Sequence, residues 1–243
     1  MTRLLQLYRG EVMRMRRYGI SLAGLAAAVI WVLMIQFSGA AESDGINALF
    51  PILLVADATL MSILLAGVTL TFEKQENTLK SMLITPIASG DYLLAKTLGV
   101  VTSSLTSLVL LLLYGMLFKG LKINLPGIFA AVVLVSFTFA QLGILLTYYS
   151  KDFTDLLQTI MKLMLLLAVP TVLELTQFVQ GTWLTVIQYI NPAKHAMVLL
   201  QAASLPIERR ELGIALAYLL AFGGLLYVAI RRQFSAYAAK GGI

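Results

Sequence analysis

Six long apolar runs constrain this chain more than any other feature of its sequence. Each is close to the roughly 20 residues that an α-helix needs to cross the hydrocarbon core of a bilayer. The chain has 243 residues, of which 59% are hydrophobic and only 12% charged, so its apolar surface requires a lipid solvent. The runs show no ten-residue alternation of apolar and polar positions, which favours helices over a β-barrel. They lie at Tyr18–Phe37, Leu49–Phe72, Tyr92–Phe118, Pro126–Tyr149, Leu156–Leu175 and Leu212–Ile230.

These runs predict an all-α, polytopic membrane protein with six transmembrane helices in a single domain over residues 1–243. Ahead of the first run, apolar residues repeat on one helical stripe and arginines lie opposite. They are Leu4, Tyr8, Val12 and Met15 on the apolar side, and Arg3, Arg14 and Arg17 on the basic side. This pattern favours an amphipathic helix over residues 2–17 that lies in the inner interface of the membrane. The alternative is a disordered basic leader that only helps to orient the chain.

The basic residues predict how the six helices are oriented. Of the 18 lysines and arginines, five fall on the far side of the membrane from residues 2–17, and these are Lys119, Lys122, Lys194, Arg209 and Arg210. Because cytoplasmic loops carry the excess of basic residues, both termini are predicted to be cytoplasmic. The net charge of +6 is thus explained by membrane orientation and by anionic lipid, and no nucleic-acid partner is expected.

Composition excludes several kinds of chemistry. The chain has no cysteine and one histidine, His195, which rules out disulfides, thiolate catalysis and a multi-histidine metal site. It contains no G-x-x-x-x-G-K-[ST] loop to hold nucleotide phosphates. We therefore expect no catalytic residue, metal or cofactor in this chain. His195 follows a turn and is predicted to be a surface residue rather than a proton sensor.

The longest polar interruption on the inner side, Glu73–Asp91, is predicted to carry a short helix. Three apolar residues share one face of it at i, i+3 and i+4 spacing, and two charged residues share the other. They are Leu79, Met82 and Leu83 on the first face, and Glu76 and Lys80 on the second. Pro86 cannot continue this helix. A short helix joined to two spans suits the transmission of movement from a docked soluble partner, and the alternative is a plain polar turn.

Two sets of polar residues lie within the apolar runs. Asp57 is about 12 Å deep in the second run, at 1.5 Å per residue, and a carboxylate at that depth is by default a functional hypothesis. Its alternative is a structural role, with hydrogen bonds to hydroxyls such as those of Thr59 or Ser103. Small and hydroxyl residues concentrate in the third run and include Thr102, Ser103 and Thr106. They either let helices pack closely or line a polar path for substrate.

The last outer connection, residues 176–211, is predicted to be a re-entrant or interfacial hairpin rather than a hydrophilic linker. It holds a further apolar run of about fifteen residues, which is too short to span the membrane. Trp183 and Tyr189 are expected at the level of the headgroups, where such side chains anchor a segment.

Part of the chain resembles a known family. The pattern that follows the second span in the ABC transporter type-2 permease family is matched here by Glu73, Glu76, Thr78, Leu83, Pro86, Tyr92, Leu93 and Lys96. The resemblance extends over the whole chain, and within the family the sequence is most similar to permeases of the fluoroquinolone-export type. The closest part is the run LFPILLVADATLMSILLAGVTLTFEKQENTLKSMLITPIASGDYLLAK, and Asn191–Pro192 also fits.

This resemblance implies that Glu73–Thr85 is a coupling helix seated in a groove of a separate cytoplasmic ATPase. The implied coupling residues are Glu73, Glu76, Thr78, Leu79, Lys80, Met82, Leu83 and Pro86. The resemblance also implies two permease subunits, identical or paralogous, and two ATPase subunits that hold ATP and Mg²⁺. An outer element that covers the gate would include Trp183, Tyr189, Asn191 and Pro192.

The sequence thus predicts the non-catalytic permease subunit of an ATP-driven exporter in a bacterial inner membrane. The substrate is expected to be amphipathic or hydrophobic, because the spans offer little charge to recognise an ion. A drug-like molecule is the first expectation, and a peptide or a lipid is the next. Two alternatives stay open: a proton-coupled secondary transporter that uses Asp57, and a membrane-embedded enzyme or assembly factor.

Overall fold

The computed structural model describes residues 2–38, 43–79, 87–175 and 182–240, and all regular structure in these ranges is helical. The helices in chain order are α1 (Thr2–Arg17), α2 (Ile20–Phe37), α3 (Ser43–Ala56), α4 (Ser62–Gln75), α5 (Ser89–Phe118), α6 (Leu125–Tyr149), α7 (Phe153–Leu175), α8 (Thr182–Ile190), α9 (Pro192–Gln201) and α10 (Arg209–Lys240). A five-residue π-helical segment, Asp57–Met61, joins α3 to α4. The predicted all-α class is confirmed.

Within the described residues, six helices are long and apolar enough to cross a membrane, which confirms the predicted number. We call them the first to sixth spans, and they are α2, α3 with α4, α5, α6, α7 and α10. Several extend past the apolar runs at their inner ends. The second span continues to Gln75, the third begins at Ser89 and the sixth reaches Lys240. Backbone hydrogen bonding continues where the side chains become polar. The apolar runs alone therefore underestimate the length of these helices.

The second and fourth spans form the centre of the bundle. In their most apolar windows 56% and 61% of the residues are buried, against 11% in the fifth span. Gly143 of the fourth span meets the backbone of Ile63 of the second. A Cβ atom on Gly143 would lie 2.9 Å from the Ile63 Cα. The missing side chain therefore sets how closely the two central helices approach.

Residues 2–17 form a helix as predicted, and this helix packs on the inner part of the third span. Met15 is buried there, and the hydroxyl oxygens of Tyr8 and Thr102 lie 2.8 Å apart. Gly99 permits the contact, since a Cβ atom at that position would lie 3.0 Å from Glu11 Cγ. The apolar stripe of α1 is thus a protein-packing surface.

Two short helices, α8 and α9, follow the fifth span and meet at Asn191. The Asn191 side chain accepts a hydrogen bond from the Ala193 amide at 2.9 Å, which caps α9. Its Nδ2 donates to the carbonyl oxygen of Leu167 at 2.8 Å. Pro192 occupies the first turn of α9, where no helical hydrogen bond is lost. Asn191 therefore both starts α9 and fastens the hairpin to the fifth span.

His195 is not the surface residue that the sequence predicts. The Asn191–Pro192 pair begins a helix rather than an exposed loop, and this turns His195 inward. Its exposed fraction is 4%, and its ring stacks on Tyr218 of the sixth span with the centroids 4.1 Å apart. The Nε2 atom lies 2.9 Å from the carbonyl oxygen of Tyr189. His195 thus joins α8 and α9 to the sixth span.

Candidate functional site

The candidate site is the inner end of the second span, where the predicted coupling segment begins. The helix ends at Gln75, and the chain turns at Asn77, which has a left-handed φ of 58°. Asparagine tolerates this conformation better than most residues. The Thr78 hydroxyl donates back to the carbonyl oxygen of Glu73 at 3.0 Å, which fixes the turn against the helix. The direction in which the segment leaves the membrane is therefore set by local hydrogen bonds.

A charge cluster lies directly inside this turn. We define it as Glu11 and Arg14 of α1, Glu73 of the second span, and Lys96 with Tyr92 of the third. Lys96 Nζ lies 2.9 Å from a Glu11 oxygen and 3.2 Å from a Glu73 oxygen. Arg14 forms an ion pair with Glu73 and lies 3.4 Å from Glu11. The Tyr92 hydroxyl donates to Glu73.

Burial decides what this cluster contributes. Lys96 is fully buried, and the exposed fractions of Glu11 and Glu73 are 4% and 1%. An isolated charge at such a place is expensive, so each of these groups depends on its partners. Two carboxylates and two cations balance one another, and α1 is held to both helices that flank the coupling segment. The cluster therefore fixes the relative position of three elements.

Aromatic contacts surround the same point on its other sides. The ring of Phe72 lies edge-on to Tyr18, with centroids 6.1 Å apart, and stacks on Phe153 of the fifth span at 5.9 Å. Lys74 Nζ lies 5.1 Å above the ring of Tyr237 in the sixth span. Residues 72–76, which we call the hub, thus contact α1, the turn before the first span, and the third, fifth and sixth spans.

One hydrogen bond of the hub lies at its exposed edge. The Tyr18 hydroxyl donates to Glu76 at 2.5 Å. This bond, followed by partial desolvation, raises the pKa of Tyr18 above its ordinary value. Tyr18 therefore remains a neutral donor at physiological pH, and Glu76 keeps its partner.

The structure separates the predicted coupling residues into three groups. Glu73 and Leu79 are buried, and their side chains contact the rest of the chain. Glu76 and Thr78 are exposed. The remaining four lie outside the described residues, and they are Lys80, Met82, Leu83 and Pro86. Of the described coupling residues, only the exposed pair is accessible to a partner without rearrangement.

The structure brings Asp57 near one third-span hydroxyl, that of Ser107, and not near that of Ser103. Asp57 is buried beside the π-helical segment and accepts a hydrogen bond from Trp31 Nε1 at 3.0 Å. The hydroxyls proposed as its structural partners do not fill that role. Thr59 donates to the carbonyl oxygen of Val55, and Ser103 lies against Gly24 of the first span. An indole on the first span is the partner that the sequence analysis missed.

The predicted outer-gate residues lie on one hairpin. Tyr189 is exposed, Asn191 and Pro192 are buried at its bend, and the backbone of Trp183 belongs to α8. The side chain of Trp183 lies outside the described part of the structure. Tyr189 is linked to the sixth span through His195, so a movement of the hairpin would also displace that span.

Sequence reasoning missed Glu11 and the inward position of Lys96. A signal for both is present in the sequence. Glu11 falls on the stripe of Leu4, Tyr8 and Met15, where an acid breaks the apolar pattern. Lys96 lies inside the third apolar run. An ion pair between these two opposite charges could therefore have been predicted from the sequence. Within the described residues no group of three histidine, cysteine or acidic side chains is arranged to hold a metal ion.

Comparison with known proteins confirms the family that the sequence resembles. Residues 2–205 match the family described as ABC-2 type transporter. Two relatives from Mycobacterium tuberculosis, of strains CDC 1551 / Oshkosh and ATCC 25618 / H37Rv, are each named a fluoroquinolones export permease protein. Each is 25% identical over 248 residues, an alignment that covers 99% of this chain and 98% of the relative.

Proposed function

Because this chain belongs to the ABC-2 type transporter family, we propose that it is the permease subunit of an ATP-driven exporter. The ATPase is a separate cytoplasmic polypeptide that binds ATP and Mg²⁺, and it docks on the segment that starts at Glu73. The single observation that carries this proposal is the hub. A docking segment that ended in a loose polar turn could not move the spans, whereas residues 72–76 contact most of the bundle.

The charge cluster supports a mechanism of coupled movement. Closure of the ATPase pair displaces the coupling segment, and Glu73 is the residue of that segment that the charge cluster holds. Arg14 and Lys96 both pair with Glu73, so α1 and the third span follow the end of the second span. Phe72 and Lys74 carry the same displacement to the fifth and sixth spans. The spans then change from inward to outward opening with no covalent step in this chain.

The substrate that we propose is an amphipathic drug of the fluoroquinolone type. The names of the two relatives support this class, and the low charge of the spans agrees with it. A hydrophobic peptide or a lipid is the next choice. We also propose a second permease subunit, either a copy of this chain or a paralogue. Exposed apolar side chains along the fifth span, such as Leu165, Leu166 and Val172, are available to that subunit or to lipid.

The docking proposal is tested at Thr78, which is exposed on the coupling segment. Thr78→Arg places a bulky cation in the proposed contact and removes the hydrogen bond to the Glu73 carbonyl oxygen. We expect binding of the ATPase to weaken about tenfold, or about 1.4 kcal/mol. The matched control is Thr154→Arg, an exposed threonine at the inner start of the fifth span. The measurement is the dissociation constant of the two purified subunits in nanodiscs, beside the melting temperature of each variant.

Two outcomes decide this test. Weaker binding in Thr78→Arg at an unchanged melting temperature, with normal binding in Thr154→Arg, supports docking on the segment. Equal binding in both variants contradicts it. Leu79 is unsuitable for this test because it is buried. A polar residue there would destabilise the fold, and a loss of binding could not be assigned to the docking contact.

A further inference from the structure

A small cavity adjoins α1. It has a volume of about 140 Å³ and lies between α1, the first span and the third span. Its polar lining consists of Arg16, Ser21, Thr102, Ser103 and Thr106. These include the three third-span hydroxyls that the sequence assigns to packing or to a substrate path. In the structure they face the interfacial helix.

An apolar groove adjoins this cavity at Thr102, which borders both spaces. The groove has a volume of about 610 Å³ and is open to the side. Leu4 and Leu5 of α1 form one wall, and Leu98, Leu105 and Val133 of the third and fourth spans form the other. The two spaces thus share one lining residue, and the groove is the more apolar of the two.

Three polar groups that line the cavity have no partner among the described residues. The hydroxyls of Ser21 and Ser103 make no hydrogen bond there, and the exposed Arg16 makes no ion pair. Neighbouring hydroxyls behave differently. Thr102 and Thr106 both donate to carbonyl oxygens of their own helix, at 2.8 and 2.9 Å. Two free hydroxyls beside a free guanidinium are suited to an anionic oxygen ligand that comes from outside the chain.

The side of the membrane on which α1 lies indicates the source of such a ligand. The excess of basic residues assigns α1 to the cytoplasmic surface, and the inner leaflet of that membrane carries anionic lipids. Arg9 and Arg16 lie on one helical stripe with Leu5 and Val12, so positive charge accompanies the side of α1 that faces the groove. A phospholipid there has its phosphate at the level of α1 and its acyl chains toward the bilayer centre.

We propose that the cavity and the groove bind one anionic phospholipid of the inner leaflet. Its phosphate contacts Arg16, Ser21 and Ser103, and one acyl chain lies along Leu105 and Val133, which line the groove on the side of the bilayer centre. The lipid fills the space between α1 and the third span. Met15, which lines the cavity, is packed against Gly99 within one turn of Glu11. The bound lipid therefore supports the charge cluster, and this role does not depend on the identity of the exported substrate.

The experiment uses the purified full-length protein in mixed micelles. Phosphatidylglycerol is titrated against phosphatidylcholine of the same chain length, and binding is followed by native mass spectrometry and by the melting temperature. We expect phosphatidylglycerol to bind the wild type more tightly than phosphatidylcholine. Arg16→Gln should weaken this binding about fivefold, which is the effect expected for one basic residue at an anionic surface.

Two further variants distinguish lipid binding at this site from general electrostatic attraction of anionic lipid to the basic helix α1. Arg17→Gln removes the same charge from the neighbouring position, which does not line the cavity, and it should keep the selectivity for phosphatidylglycerol. Val133→Trp fills the apolar groove from an exposed position and should lower the number of retained lipids without lowering the melting temperature in phosphatidylcholine. Equal loss of affinity in Arg16→Gln and Arg17→Gln, or equal binding of the two lipids to the wild type, would overturn the proposal.

Discussion

At the scale of single residues, Lys96 is the side chain on which most depends. It lies within an apolar run, it is fully buried, and it is paired with one acid on α1 and one on the second span. In the proposed coupling, Lys96 would contribute geometry rather than net stability, because a buried ion pair repays its desolvation only in part. What it provides is a fixed distance between three helices that would otherwise meet through interchangeable apolar contacts.

We expect Lys96→Ala to destabilise the protein by about 3–5 kcal/mol, because the carboxylates of Glu11 and Glu73 lose a buried counter-ion. Lys162→Ala is the matched control, since Lys162 lies near the inner end of the fifth span and is exposed. Thermal unfolding in detergent measures both. The double variant Lys96→Met with Glu11→Met should recover much of the loss. A double variant no more stable than Lys96→Ala would show that the cost came from packing and not from charge.

At the scale of the elements, glycine positions let neighbouring helices pack closely, and these contacts shape the bundle. The second and fourth spans meet at Gly143, and α1 meets the third span at Gly99. Both glycines lie in helices, where glycine costs stability relative to alanine. Close packing of the neighbouring helix offsets this cost. The contact at Gly99 brings α1 close enough to the third span for Glu11 to pair with Lys96.

Gly143→Ala tests this contact. The new Cβ atom would lie 2.9 Å from the Ile63 Cα, a backbone atom that can move only with its helix. We expect a loss of stability of about 1–3 kcal/mol, as for other overpacked cores. Gly224→Ala in the sixth span is the control, since a Cβ atom there meets nothing within 4 Å. That variant should be neutral or more stable by up to about 1 kcal/mol from helix propensity. Equal melting temperatures for both variants would contradict the argument.

At the scale of the whole molecule, the second span connects the inner face to the membrane interior. One end of it carries the hub, and its middle carries the π-helical segment with Asp57 held by Trp31 of the first span. In the proposed mechanism, displacement at the inner end would be carried along this span to a point deep in the bilayer. This arrangement favours a driven permease over a transporter that would use Asp57 as a proton carrier.

Transport by the assembled complex separates these two mechanisms. In proteoliposomes that contain both subunits, uptake of a fluoroquinolone should require ATP and should persist when a protonophore removes the proton gradient. Asp57→Asn should keep most of the rate, because an amide oxygen accepts the Trp31 hydrogen bond as a carboxylate does. Replacement of the phosphate-binding lysine of the ATPase should abolish uptake. Uptake without ATP, lost in Asp57→Asn, would instead establish the proton-coupled alternative.

The sequence alone predicted the class, the number of spans and the helix at residues 2–17. These features depend on local properties: the length of an apolar run, the period of a stripe and the sign of charge at helix ends. The family was also recognised from the order of residues around Glu73 and Lys96. The position of His195, which follows Asn191–Pro192, was predicted wrongly. The pair was identified as a turn, but its consequence for His195 depends on a cap that starts α9 and on the ring of Tyr218.

Only the tertiary structure showed which polar residues meet. Glu11 and Lys96 are 85 positions apart, and Trp31 and Asp57 are 26 positions apart. A hydrophobicity pattern assigns each of these residues to a helix and a depth, but not to a rotation about the helix axis or to a neighbour. Those are set by close contacts such as Gly99 with Glu11 and Gly143 with Ile63. The sequence therefore determined that this is a six-span membrane protein, and packing decided that its buried charges hold α1 to the inner ends of the second and third spans.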